Sequence, residues 1–106
     1  MSDNLPISEQ YRLIAKRWVD ADSAANLLEE TKSAVLARMM TARGDMPVSK
    51  AEMQVKASEE WSDYVTKTVG ARREAALLKV QLEFIRMKFM EHNSADATRR
   101  AEMKLT

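Results

Sequence analysis

A stretch of ten residues near the middle of the chain, GDMPVSKAEM, places a helix stop and a helix start side by side. Gly44 can adopt the left-handed backbone conformation that ends a helix, because it has no Cβ. Pro47 cannot continue a helix. Ser49 and Glu52 have the spacing of a capping box, which satisfies unpaired N–H groups at a helix start. Two helices joined by a bend at residues 44–48 are therefore predicted.

On both sides of this bend, apolar residues recur with alternating spacings of four and three, the heptad pattern of paired helices. The pattern predicts one helix over residues 7–43 and a second over residues 49–91, with Val48 and Met53 as a hydrophobic staple. The fold class is all-α, a long antiparallel helical hairpin. The predicted seam consists of Ile7, Tyr11, Ile14, Trp18, Ala21, Ala25, Leu28, Lys32, Val35, Met39 and Ala42 in the first helix, and of Ala57, Trp61, Tyr64, Thr68, Ala71, Ala75, Leu78, Leu82, Ile85 and Phe89 in the second.

The position of the bend also sets the register of the pair, because facing residues should have numbers that add up to about 93. Leu28 is then expected near Tyr64. Lys32 is expected near Trp61, with its methylenes along the ring or its ammonium group over the indole face. Gly70 within the second helix is explained by close helix approach, which we favour, or by a kink.

The C-terminal tail carries a second helix-start signal. Ser94 is a candidate N-cap, and Asn93 can end the preceding helix. We expect either a short C-terminal helix over residues 94–104, which can fray, or a continuation of the second helix.

Composition excludes several classes of function. The chain has no cysteine, one histidine and two glycines, so disulfides, thiol catalysis and Gly-rich phosphate loops are excluded. We predict that the protein is not an enzyme, with no catalytic residues, no metal site, no cofactor and no small-molecule substrate. No apolar run reaches the roughly 20 residues of a membrane span, and the first residues do not resemble a signal peptide. A cytoplasmic protein without membrane contact is expected.

The charge is unevenly distributed although the net charge is only +1. Residues 20–71 hold six Lys or Arg and nine Asp or Glu, whereas residues 1–19 and 72–106 hold eleven and seven. The open end of the hairpin should therefore be basic and able to contact DNA or an acidic partner. The candidate contact residues are Arg12, Lys16, Arg17, Arg72, Arg73, Lys79, Arg86, Lys88, Arg99, Arg100 and Lys104.

A second group of apolar residues lies outside the seam. A two-helix hairpin has no interior for this group, and left exposed it would form a larger apolar patch than monomers usually tolerate. We expect self-association, in the simplest case a dimer of hairpins that completes a four-helix bundle. The group comprises Leu13, Val19, Leu27, Leu36, Met40, Val65, Val69, Leu77, Val80, Phe84, Met87 and Met90, and the candidate interface consists of Leu13, Leu27, Leu36, Met40, Val65, Val69, Val80, Phe84 and Met87.

The C-terminal third, from Ala71 to Leu105, resembles small uncharacterised helical proteins of bacteriophages and prophages, some from recombination or replication gene clusters. The resemblance rests on Lys79, Leu82-Glu83, Arg86-Met87 and the run ATRRAEM at residues 97–103. It implies an accessory role in DNA metabolism. The sequence thus favours a non-enzymatic interaction or assembly protein, with a nucleic-acid-binding protein and an inhibitor of a host enzyme as alternatives.

Overall fold

The computed structural model describes residues 4–105, with only the backbone of Leu105, and this range forms four α-helices without a strand. The predicted all-α helical hairpin is confirmed. The contacts divide the chain into two parts, which we call the bend unit (residues 20–75) and the terminal unit (residues 1–19 with 76–106). The helices are α1 (Ile7–Glu30), α2 (Lys32–Thr41), α3 (Val48–Lys56) and α4 (Glu59–Leu105).

The predicted bend lies between α2 and α3. Gly44 has a positive φ of 94°, and its N–H donates to the Thr41 carbonyl at 3.2 Å. Pro47 is extended, with φ −57° and ψ 142°, and its carbonyl accepts the N–H of Ala51 at 3.0 Å. Gly44 therefore ends one helix as the sequence predicts, whereas the next helix starts from Pro47 and not from the predicted Ser49.

The capping box and the hydrophobic staple are wrong. The extended backbone of Pro47 makes this residue the N-cap, so Ser49 already lies inside α3 and no side chain caps the helix. Val48 and Met53 are each 71% exposed and cannot form a buried staple.

The first predicted helix is interrupted at Thr31, where α1 ends and α2 begins. The Thr31 hydroxyl donates to the Leu27 carbonyl at 2.7 Å, a back-bond that bends helices. The Tyr64 hydroxyl donates to the Leu28 carbonyl, which is the acceptor that Lys32 would use in a regular helix. Side-chain hydroxyls thus compete for backbone acceptors at this point.

The second predicted helix is interrupted at Ala57 and Ser58. The Ser58 hydroxyl accepts the N–H of Trp61 at 3.2 Å and donates to the Val55 carbonyl, so Ser58 caps the start of α4. The interruption shifts the heptad phase. As a result Val55 is buried in α3 and the predicted seam residue Ala57 is exposed.

The predicted register of the bend unit is confirmed. The Lys32 ammonium nitrogen lies 5.9 Å from the centroid of the Trp61 ring, within the range of a cation–π contact. Tyr64 reaches Leu28 through its hydroxyl, and its ring stacks on Trp61 at a centroid distance of 5.6 Å. These contacts join α1 and α2 to α4 within one unit.

The core is small, and most of its buried residues belong to the bend unit. Among the described side chains, five buried residues belong to the bend unit and one, Leu82, belongs to the terminal unit. Tyr11 and Phe89, predicted as seam residues, are exposed in the terminal unit. The buried residues are Ala25, Ala51, Val55, Trp61, Ala75 and Leu82.

Gly70 lies within α4, which continues through it without interruption. A Cβ built on Gly70 would meet no heavy atom within 4 Å apart from the neighbouring backbone. The favoured explanation of close helix approach is therefore wrong, since the glycine faces open space.

The C-terminal tail continues α4 instead of forming a separate short helix. The helix runs through Asn93 and Ser94 and ends at Leu105, so Ser94 is not an N-cap. His92 Nε2 lies 3.5 Å from Asp96 Oδ2, one turn further on, and this contact bridges the predicted boundary. Of the two alternatives, the continuation is observed.

Candidate interaction surfaces

The longest apolar surface on a single helix of the terminal unit is formed by four residues of α4, which we call the outer stripe. Leu77, Val80, Phe84 and Met87 follow one another with spacings of three, four and three. Their side chains are 52%, 62%, 66% and 59% exposed. At 3.6 residues per turn they fall within an arc of about 80°, so they form one continuous face.

The outer stripe lies on the side of α4 opposite to the seam. The seam positions Leu78, Leu82 and Ile85 are buried or half-buried, and helical periodicity places them about half a turn away from the stripe. This part of α4 therefore has two apolar faces, and the chain itself covers one of them.

The remaining candidate interface residues do not form such a face. Leu13 and Leu27 of α1 are exposed and share a face, but Asp20 lies between them at the heptad position. Val69 of α4 is exposed as well. The other three candidates, Leu36, Met40 and Val65, are half-buried within the bend unit.

Arg72, one of the predicted basic contacts, is held by α1 within the bend unit. Its guanidinium donates to Asp22 Oδ1 at 2.7 Å, to Asn26 Oδ1 at 2.6 Å and to both carboxylate oxygens of Glu29 at 2.7 and 3.1 Å. Asp22, Asn26 and Glu29 are one turn apart along one face of α1. This three-residue clamp uses the fork of donors that arginine offers.

The clamp changes the electrostatics of its members. The hydrogen bond from Arg72 is the main reason why the pKa of Glu29 is lowered, and the same bond, followed by that to Asp22, raises the pKa of Arg72. The clamp keeps Arg72 engaged inside the chain, so we remove it from the candidate contacts for a ligand. The sequence contains a signal for this contact, because the predicted register places Arg72 beside residue 21.

The other basic candidates are exposed. Arg12 forms an ion pair with Glu9, one turn earlier in α1, and the hydrogen bond between them lowers the pKa of Glu9. By sequence the terminal unit holds nine Lys or Arg and six Asp or Glu, a net charge of +3, whereas the bend unit holds eight and ten, a net charge of −2. The exposed basic residues are Arg12, Lys16, Arg17, Arg73, Lys79, Arg86, Lys88, Arg99, Arg100 and Lys104.

Two grooves lie between α1 and α4 in the terminal unit. The larger, of about 430 Å³, is mostly apolar and carries Arg86 at its edge. The smaller, of about 190 Å³, has a more polar lining that includes Lys79 and Glu83. Tyr11 and Arg86 line both grooves. The larger groove is lined by Ile7, Ser8, Tyr11, Ile85, Arg86, Phe89 and Met90.

The bend unit has an apolar groove of its own between α2 and α3. It has a volume of about 540 Å³ and lies beside Gly44 at the bend. Its lining includes Val48, which is exposed, and Ala51, which is buried.

No group of three or more His, Cys, Asp or Glu in residues 4–105 is arranged to hold a metal ion. No helix in the same range is long and apolar enough to cross a membrane.

The comparisons with known proteins give no relative. The chain matches no protein-family model, no curated protein and no solved structure. The resemblance to bacteriophage and prophage proteins therefore stays a prediction, and the function has to be argued from the surfaces described above.

Proposed function

We propose that this protein is a non-enzymatic helical interaction protein that self-associates through the outer stripe of α4, with a dimer as the basic assembly. The exposure of four consecutive apolar stripe residues, Leu77, Val80, Phe84 and Met87, is the observation that carries the proposal. Removing such a face from water is the dominant favourable term in most protein–protein association.

The distribution of the other apolar residues supports this choice of surface. The apolar residues of α1 are interrupted by Asp20. In the bend unit, Val65 and Met40 are half-buried by their own neighbours and offer less area to a partner. The outer stripe combines continuity with exposure and lies on a regular helix, which presents its side chains at fixed positions.

Light scattering over a micromolar concentration series tests the proposal. The wild-type chain should give a mass of two copies or more, and Phe84→Ser should shift the equilibrium towards the monomer. Phe89→Ser is the matched control, because it also replaces an exposed phenylalanine of α4, but helical periodicity places it on the seam side of the helix, away from the stripe. A monomeric wild type, or equal effects of both substitutions, would contradict the proposal.

A second candidate function is DNA binding in an accessory role in DNA metabolism. It is favoured by the excess of exposed Lys and Arg in the terminal unit, including the adjacent pair Arg99 and Arg100 on α4. Each phosphate that such a residue neutralises releases counterions, which makes binding weaker as salt increases.

Fluorescence anisotropy with a labelled duplex at several salt concentrations tests this second function. Binding should weaken steeply with salt, and replacing Arg99 and Arg100 together with Ala should lower the affinity. Arg72→Ala is the control, because Arg72 is engaged by Asp22 and Glu29. Absence of binding at low salt would exclude this function.

A further inference from the structure

The outer stripe is symmetric about the middle of its own sequence. Leu77 and Met87 are equally far from position 82, and so are Val80 and Phe84. Two antiparallel copies of this segment, centred at position 82, would therefore pair Leu77 with Met87 and Val80 with Phe84. A face that pairs with itself in this way is what a two-fold interface requires.

The charges at the ends of the stripe follow the same symmetry. Arg73 precedes Leu77 by four residues and Glu91 follows Met87 by four, so both lie on the stripe's face of α4. They too are equidistant from position 82, and they carry opposite charges. In an antiparallel pair, Arg73 of each copy meets Glu91 of the other at both ends of the apolar contact.

We propose that two copies of the chain associate through antiparallel α4 helices, on a two-fold axis that passes the outer stripe at the level of position 82, with Arg73 of each copy paired to Glu91 of the other. This inference rests on the proposed self-association and specifies its geometry. A parallel pair would place Arg73 beside Arg73 and Glu91 beside Glu91, which like-charge repulsion disfavours. The occupant of the stripe is therefore a second copy and not an unrelated helix.

The flanking positions add one favourable and one unfavourable contact. Glu74 of one copy comes close to Lys88 of the other, a further pair of opposite charges. The Glu83 side chains of the two copies approach each other near the axis and repel. The antiparallel geometry thus predicts that Glu83→Gln strengthens the dimer, a result not expected if the partner surface lies elsewhere.

Charge exchange between copies tests this geometry. Arg73→Glu and Glu91→Arg should each weaken the dimer about tenfold or more, because two attractive contacts become repulsive. A mixture of the two variants should form a heterodimer close to wild-type affinity, since both of its end contacts are attractive again. Native mass spectrometry distinguishes the heterodimer from the homodimers by mass, and circular dichroism checks that each variant is helical.

Arg100→Glu is the control for the change in net charge. Arg100 is exposed, and helical periodicity places it on the side of α4 opposite to the stripe. It should leave the dimer unchanged. If the wild type dimerises but the mixture binds no better than either variant alone, the antiparallel geometry is wrong and self-association stands. If the wild type is monomeric throughout, the proposed function fails as well.

Discussion

The bend unit and the terminal unit are built from the same kind of heptad sequence but differ in what their side chains contact. In the bend unit, Trp61 is buried, Tyr64 bonds to the backbone of α1, and Arg72 is clamped by α1 carboxylates. In the terminal unit, Leu82 is the buried residue among the described side chains, while Phe84 and Met87 are exposed. In the bend unit these side chains find their contacts within the chain, whereas the terminal unit leaves apolar side chains exposed to solvent.

The difference indicates where stability and where interaction reside. Contacts that are directional and specific, such as the clamp on Arg72, fix a helix register and leave little for a partner. An exposed apolar face adds little to the stability of the isolated chain, but it contributes free energy when a partner covers it. We therefore expect substitutions in the bend unit to change stability and substitutions in the outer stripe to change association.

The largest effect is expected from truncating the buried aromatic residue of the bend unit. Trp61→Ala removes a side chain that is 7% exposed and should lower the free energy of unfolding by about 3 kcal/mol or more. Phe84→Ala, at an exposed position, should change it by less than about 0.5 kcal/mol when measured on the monomer. Urea denaturation at low protein concentration gives both values, and equal losses would remove the distinction between the units.

A smaller effect should separate the true helix cap from the predicted one. Ser58→Ala removes the acceptor of the Trp61 N–H and should cost about 1 kcal/mol. Ser49→Ala should cost less than about 0.5 kcal/mol, because Ser49 lies inside α3 and caps nothing. Thermal unfolding compares the two variants. A larger loss of stability for Ser49→Ala than for Ser58→Ala would indicate that Ser49 caps α3 after all.

These two serines illustrate what the sequence can and cannot predict. The bend, the helix pairing and the contact between Lys32 and Trp61 follow from local signals and from counting residues away from the bend. The break at Ser58 has a local signal too, since two acidic residues follow the serine, but the heptad spacing continues across it from Ala57 to Trp61.

The interruption at Thr31 is harder to predict. It depends on the hydroxyl of Tyr64, which is 33 residues away from Thr31 in sequence. This hydroxyl reaches Thr31 and donates to the Leu28 carbonyl only after the chain has folded. The features of the candidate interaction surfaces differ in the same way in how well the sequence predicts them. Exposure of the outer stripe follows from periodicity, whereas the engagement of Arg72 depends on three side chains of α1.

Gly70 offers a stabilising substitution in the bend unit. Because a Cβ at this position meets open space, Gly70→Ala should raise the free energy of unfolding by about 0.5–1 kcal/mol through the lower entropy of the unfolded chain. Thermal unfolding measures the change. A loss of stability would mean that another atom approaches Gly70 closely.

The smallest effect concerns acid. The pKa of Glu29 is lowered in the folded chain by its hydrogen bond from Arg72, so this contribution to stability is present above the pKa of an unfolded glutamate, about 4.3. It is lost as the pH falls through the lower pKa of the folded state. Arg72→Met should therefore lose less stability than the wild type on acidification.

Arg73→Met is the matched control for the acid experiment, because it removes the same charge at the adjacent, exposed position. Unfolding curves at neutral pH and at acidic pH, recorded below the association range, give the comparison. If both variants and the wild type respond alike to acid, the clamp does not contribute to the stability of the bend unit.

The distance between two copies at chosen points of α4 tests the account most directly. The chain has no cysteine, so Gln81→Cys or Thr98→Cys gives a single site for a nitroxide label. Double electron–electron resonance then measures the distance between the labels of the two copies. Antiparallel association along the outer stripe predicts a short distance at position 81, near the interaxial separation of about 10 Å plus the label. At position 98 it predicts about 50 Å, from a rise of 1.5 Å per residue in opposite directions. Absence of interchain coupling at position 81 in the associated protein would contradict the account.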